Sequence, residues 1–205
     1  MKLSAAAGAT MYIFVICSVT TACVGGSAAA SESESLAVAH RYTRLNAAGR
    51  ILGDEISGAR CVRDSQTGLL WELKTDDGGV HDKDNSYRWG GIGAEGIGAE
   101  AVGPLVFDDW NQLVNATNEE NLCGFDDWRV PTIAELKSLV VAQQTGPTIN
   151  TDFFPLTLAA PYWSASGYQG YPEHGQNVHF GSGDAYYYNG YRGNSLAVRL
   201  VRSTK

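Results

Sequence analysis

Residues 123–141, Cys-Gly-Phe-Asp-Asp-Trp-Arg-Val-Pro-Thr-Ile-Ala-Glu-Leu-Lys-Ser-Leu-Val-Val, constrain the fold more than any other stretch. Pro131 biases the preceding residue toward extended geometry. Thr132 can then cap a helix, and Glu135, three positions on, completes a capping box. Ile133, Leu136, Leu139 and Val140 share one helical face. A helix from 132 to about 143, ending ahead of Gly146-Pro147, is therefore expected to pack on a core. Just upstream, Trp128 offers a large apolar body between Asp127 and Arg129. These two charges are expected to be structural, in an ion pair or in backbone hydrogen bonds, because a guanidinium fork suits such bridging.

The N-terminus sets the compartment. Residues 1–30 read as a secretory leader: Lys2, then the apolar run Met11 to Val19, then small residues. The run is too short for a lasting membrane helix. Two processing readings stay open. Ala28-Ala29-Ala30 fits a cleavage site before Ser31, whereas Thr20-Thr21-Ala22-Cys23 resembles a lipobox with Cys23 as the lipidated residue. Either way the chain is expected to be exported, as an outer-membrane lipoprotein, in the periplasm or at the cell surface. Any membrane contact would run through the lipid anchor. Residues 31–40, opening Ser-Glu-Ser-Glu-Ser, read as a flexible acidic tether, and 41–205 as one domain. The formal charge is −7, and it becomes −8 once Lys2, the sole charged side chain of the leader, is removed. Such a chain is a poor partner for nucleic acid.

Only Cys61 and Cys123 remain in the folded part. Two cysteines in an exported domain most simply form one disulfide. Free buried thiols and half a metal site are the alternatives. A zinc site needs about four ligands. No His lies close to either Cys, so no metal is expected.

Along the domain, Arg41 to Leu45 reads as a first strand and Asn46 to Gly49 as a turn. Leu69, Trp71 and Leu73 alternate with Leu70, Glu72 and Lys74, a half-buried strand with Trp71 inward. The acidic loop 76–86 reads as solvated, with an irregular calcium site as the alternative. With Asp82 as position one of an EF-hand, Tyr87 stands where Gly is required and Gly93 where Glu is required. Gly-Ile-Gly-Ala-Glu occurs at 91–95 and again at 96–100. The Gly91-x-Gly93-x-x-Gly96 this creates lacks the strand and helix of a dinucleotide site. A first helix is expected from Asp108 or Asp109 as N-cap, with Trp110, Leu113 and Val114 on its apolar face. Strands follow at 162–166, 177–180 and 185–188, with a hairpin signal at Asn189-Gly190. The last run sets Leu196, Val198 and Leu200 against Ala197, Arg199 and Val201, a strand expected to close the sheet against 69–74. Trp71, Trp128 and Trp163 are assigned to the core.

The ordered set Cys61-Val-x-Asp64, Thr67-Gly-Leu-Leu-Trp-Glu72, Lys74-Thr-Asp-Asp-Gly-Gly79, Asn121-Leu-Cys-Gly124, Asp127-Trp-Arg-Val-Pro-Thr132, Phe154-Pro155, Tyr162-Trp-Ser164 and Val198-Arg-Leu-Val-Arg202 resembles the family named for the C-terminal domain of the Legionella collagen-like protein. The resemblance implies an α+β, C-type-lectin-like fold: two helices packed on a small, mostly antiparallel sheet, long loops, and terminal strands that meet. It also implies an exported, often lipid-anchored protein. One relative is thought to bind host glycosaminoglycans, but a sulfated polyanion calls for a basic surface and this chain is acidic.

Function is expected in the aromatic C-terminal third. Tyr168, Tyr171, His179, Tyr186, Tyr188 and Tyr191 are the candidate ligand-binding residues, interleaved with Gly, Asn and Ser. Aromatic faces with short polar neighbours suit a glycan or a protein surface. The competing reading is that these tyrosines supply strand propensity and packing. No Gly-x-Ser-x-Gly, His-Glu-x-x-His or P-loop occurs. The formylglycine-generating oxidases of the lectin-like class use a cysteine pair near the C-terminus, and no Cys follows residue 123. The expectation is a noncatalytic binding domain without a cofactor. The first alternative is a structural, homo-oligomerising envelope domain with an aromatic protein interface, and a carboxylate-pair hydrolase is the distant one.

Overall fold

The computed structural model describes residues 41–53, 55–95, 107–186 and 190–204. The leader and tether, Cys23, the second pentapeptide copy, Tyr188 and Asn189 lie outside these, as does the side chain of Tyr186. The domain opens with β1 (Tyr42–Asn46), β2 (Ile51–Leu52), β3 (Ala59–Asp64) and β4 (Leu69–Glu72). Helix α1 (Asn111–Glu119), a 3-10 turn (Leu122–Gly124) and helix α2 (Ile133–Lys137) follow. The chain ends with β5 (Pro161–Gly167), β6 (Gly175–His179), β7 (Asp184–Tyr186) and β8 (Val201–Ser203). The strands form a five-stranded sheet, β2-β1-β3-β4-β8, and a three-stranded sheet, β5-β6-β7, with every strand pair antiparallel. The described residues are thus a small α+β fold with two α-helices.

A last strand closes the sheet against β4, but it lies at Val201–Ser203 rather than 196–201: Leu69, Leu70 and Trp71 pair with Ser203, Arg202 and Val201, while Leu196 and Ala197 make isolated bridges to Tyr87 and Tyr162. The terminal strands themselves are not neighbours, because β3 and β4 stand between them. The ends of the domain meet instead at the β3–β4 turn. The Ser65 amide donates to the Arg41 carbonyl at 2.9 Å, and the Thr204 amide donates to the Gly68 carbonyl at 3.0 Å.

Alternation along the strands sorts side chains into two cores. Cys61, Leu70, Val198 and Leu200 join Trp89, Trp110, Trp128 and Trp163 in one. Val62, Leu69, Trp71 and Leu73 join Phe154, Tyr162, Phe180 and Val201 in the other. Helix α1 packs into the first through Leu113 and Val114, helix α2 into the second through Leu136. The large sheet is therefore covered on both faces, and β4 is buried throughout rather than half-buried. The period of two was legible; the cover on the second face comes from residues scattered along the chain from Trp89 to Leu200.

The capping box forms as expected. Thr132 Oγ1 accepts the Glu135 amide while the Glu135 carboxylate accepts the Thr132 amide. The helix is shorter than expected, because Val140 turns out to bridge Ile149 and Gln143 adopts a left-handed φ of 63°. Helix α1 has Trp110 at its N-cap with no side-chain cap. Asp109 is engaged elsewhere: Arg88 grips it with Nε at 2.7 Å and Nη2 at 3.0 Å. Trp128 is buried, and Asn118 of α1 clamps its backbone, accepting its N–H at 2.7 Å and donating to its carbonyl at 3.1 Å. The flanking charges do not pair with each other. Asp127 accepts a forked bond from Arg202, whereas Arg129 forks onto Glu135 at 2.6 and 2.8 Å. Cys61 on β3 and Cys123 in the 3-10 turn are joined by a disulfide.

Candidate functional site

β5 and β6 run together from Pro161↔His179 to Gly167↔Gly175, and residues 168–174 link them. That loop is closed by its own backbone: Tyr168 donates to the His174 carbonyl at 3.0 Å and His174 to the Tyr171 carbonyl at 2.9 Å. Segment 190–192 docks alongside. Gly175 donates to Gly190 at 2.8 Å, Arg192 donates to Glu173 at 3.0 Å, and His174 bridges Tyr191. Gly175 must be glycine here, since a Cβ would overlap the Trp89 indole.

This backbone arrangement brings four rings into a row. Tyr168 stacks on Tyr171 at 6.0 Å, Tyr171 meets His174 edge-on at 5.8 Å, and His174 meets Tyr191 edge-on at 6.1 Å. These spacings are those of favourable aromatic pairs. Tyr171 and Tyr191 are 51% and 44% exposed, whereas Tyr168 and His174 are half-buried. Next to Tyr168 lies an open cleft of about 410 Å³, lined by Glu95, Ser166, Gly167, Tyr168, Gln169 and Gln176. A carboxylate, a hydroxyl and two carboxamides thus converge beside a stacked aromatic pair.

Of the sequence-derived candidates, Tyr168, Tyr171 and Tyr191 come together here. His179 does not: it sits at the opposite end of β6, where its Nδ1 accepts the Gly181 amide at 3.0 Å. On β7, the backbone of Tyr186 pairs with Asn177 of β6. His174, in the same aromatic-rich third, joins the three tyrosines Tyr168, Tyr171 and Tyr191. Glu95 and Gln176 were missed as candidate site residues: Glu95 comes from the pentapeptide loop and is placed only by its bridge to Ser166.

A second cluster of charges is buried under β4. Glu72 Oε1 accepts from Lys74 Nζ at 3.0 Å and contacts His81 Nδ1 at 2.6 Å, and Glu72 Oε2 accepts the Leu200 amide at 2.7 Å. His81 Nε2 reaches Glu120, the C-cap of α1, at 2.6 Å. Arg199 donates to the Glu72 carbonyl and to Thr157. Burial opposes ionisation of Glu72. The Lys74 charge, the His81 bond and charge, and the Leu200 amide outweigh it and draw the carboxyl down to about 2. Burial likewise opposes the charged form of His81, but its bonds to Glu72 and Glu120 and their charges hold its pKa above the usual value. With both ring nitrogens engaged, His81 ties the loop after β4 to the end of α1. The network is a crosslink within the scaffold.

The acidic loop is organised by Asp82, which accepts the amides of Asp77, Gly78 and Asp84 at 2.7–2.9 Å. Asp76, Asp82 and Asp84 offer carboxylate oxygens within 4.8 Å of one another. Lys83 Nζ already spans Asp76 at 2.7 Å and Asp84 at 2.9 Å. The local positive charge comes from the chain itself.

A two-sheet α+β domain with one disulfide, a Trp-rich core and an aromatic edge defines the class of protein. The profile of the Lcl C-terminal domain matches residues 60–202, and the chain belongs to that family. No curated protein and no solved structure matches the chain.

Proposed function

We propose that this chain is an exported, noncatalytic binding module of C-type-lectin-like architecture that recognises a glycan along the Tyr168–Tyr171–His174–Tyr191 row and its adjoining cleft. The observation that carries this reading is the row itself: four rings with neighbouring centroids 5.8–6.1 Å apart, Tyr171 and Tyr191 exposed, continuous with a cleft rich in hydrogen-bonding groups. Sugar rings stack their C–H faces on aromatic faces while their hydroxyls bind short polar side chains. The lectin-like assignment is supported by two helices on an antiparallel sheet whose domain ends converge on one turn.

The test is a glycan array with the full chain, followed by titration of the best binder against the Tyr171→Ala/Tyr191→Ala double variant. Each exposed ring contributes on the order of 1 kcal/mol, so the pair is expected to weaken binding about tenfold or more. The melting temperature is expected to stay near wild type, because about half of each residue is already solvated in the fold. An array without hits, or a double variant that binds as tightly as wild type, would sink the reading. A second reading, self-association, draws on exposed Ile51 and Ile56 beside the edge strand β2. A stable oligomer together with a silent array would favour it.

Export is part of the proposal, supported by the leader-like residues 1–30. Mass analysis of protein recovered from the host envelope is expected to show a processed N-terminus, either lipid-modified Cys23 or free Ser31. An intact Met1 in that material would refute export through this leader.

A further inference from the structure

Glu95 gives the cleft a charge, and therefore a preference. Its backbone is pinned beside β5: its amide donates to the Ala165 carbonyl at 2.6 Å, and its carbonyl accepts the Gly167 amide at 3.0 Å. Its Oε2 accepts from the Ser166 hydroxyl at 3.2 Å, and Ser166 Oγ in turn accepts the Ile133 amide at 3.1 Å. The carboxylate is thus positioned at the mouth of the cleft, exposed. Tyr168 apart, Glu95 is the sole ionisable side chain among the described lining residues; the others are Ser166, Gly167, Gln169 and Gln176. The nearby cation, Arg129, feels the Glu95 charge, but its guanidinium is committed to Glu135 by two bonds at 2.6 and 2.8 Å. The Tyr168–Tyr171 stack stands beside this carboxylate. A carboxylate next to aromatic faces is the arrangement that attracts an ammonium group, by charge and by the ring quadrupole together. The formal charge of the chain, −7, adds attraction for a cation and repulsion for a sulfated or uronic polymer.

We infer that the cleft selects a glycan bearing free primary amines, a glucosamine-type sugar, over its acetylated or acidic counterparts, with Glu95 as the residue that sets the preference. This rests on the glycan reading of the aromatic row and specifies its ligand.

The experiment compares three probes against the full chain at about pH 6, where an amine is protonated: a chitosan oligosaccharide, the matching N-acetylated oligosaccharide and an oligogalacturonate. Wild type is expected to bind the amine probe about tenfold tighter than the acetylated one, the effect of one charge-assisted hydrogen bond. That preference is expected to shrink as salt is raised. In the Glu95→Gln variant the ratio of amine to acetamide affinity is expected to fall to about one, whereas Tyr171→Ala lowers both affinities and leaves the ratio standing. A wild type that binds both oligosaccharides equally, or prefers the oligogalacturonate, overturns the inference while the glycan reading survives. A Glu95→Gln variant that keeps the ratio also overturns it. A wild type that binds none of the three defeats both this inference and its glycan premise for these sugars, and the array then decides the premise on its own.

Discussion

Replacing Glu72 by alanine is expected to destabilise the domain by about 3–5 kcal/mol, the usual cost of removing one partner from a buried ion pair. The reason is what stays behind. Lys74 and His81 are 1% and 3% exposed at their side chains; Lys74 would lose its buried counter-ion, and His81 would keep only Glu120. The Leu200 amide would lose its acceptor as well. Urea unfolding checks this: the midpoint should fall steeply with the slope unchanged. A loss below about 1 kcal/mol would mean that water or a rotamer change satisfies the cluster, and the crosslink would then be unimportant.

The same network makes stability depend on pH in a defined direction. Against the effect of burial, the Lys74 charge and the bonds from His81 and Leu200 draw the Glu72 carboxyl down to about 2, from an ordinary value of 4.5. Its contribution is fully present above about 4.5 and is lost as pH falls through about 2. His81 is raised above 6.5. Its contribution is fully present below 6.5 and is lost as pH rises through its folded value. The network is therefore worth most between those two unfolded values, in mildly acidic solution. In the Glu72→Ala variant the acid slope should flatten because the titrating carboxylate is gone, and the His81 slope should shrink but persist, because Glu120 still holds the imidazole.

Removing the disulfide is the second large effect. The Cys61→Ala/Cys123→Ala double variant is expected to lose about 4 kcal/mol, the chain-entropy value for a closed loop of this size, set by a separation of 62 positions. Both sulfurs are buried in the first core, so the alanines also leave unfilled volume there. Melting curves of the oxidised protein, the reduced protein and the double variant separate the two contributions. Reduction tests the crosslink alone, and the variant adds the cavity. A reduced protein that melts with the oxidised one would show that the bridge constrains nothing.

Local chemistry was the part most open to reading from the chain. The Thr132–Glu135 capping box depends on two side chains three positions apart, so the sequence contains all of it. The alternation at 69–74 and 196–201 likewise assigns each side chain to a face, because strand geometry has a period of two. Those patterns carry no information about what covers a face. The same blindness explains Asp109: it has the right chemistry for a cap, but Arg88, distant in the chain, binds it instead.

The candidate site divides along the same line. That the C-terminal third is rich in tyrosine is plain from the residues. That Tyr168, Tyr171 and Tyr191 share one edge while His179 sits at the far end of β6 follows from the β5–β6 register and the docking of segment 190–192. Glu95 joins them through one backbone bridge to Ser166 across 71 positions.

What the sequence settled by itself is whatever acts within a few residues: caps, turns and strand alternation. Family membership was legible too, in the order of its motifs. The tertiary structure alone decided which buried charges meet, since Glu72 finds Leu200 across 128 positions and His81 finds Glu120 across 39. It also decided which aromatic rings line up. Chain closure brings such groups together only after the sheets have formed, and no local propensity encodes a partner that distant.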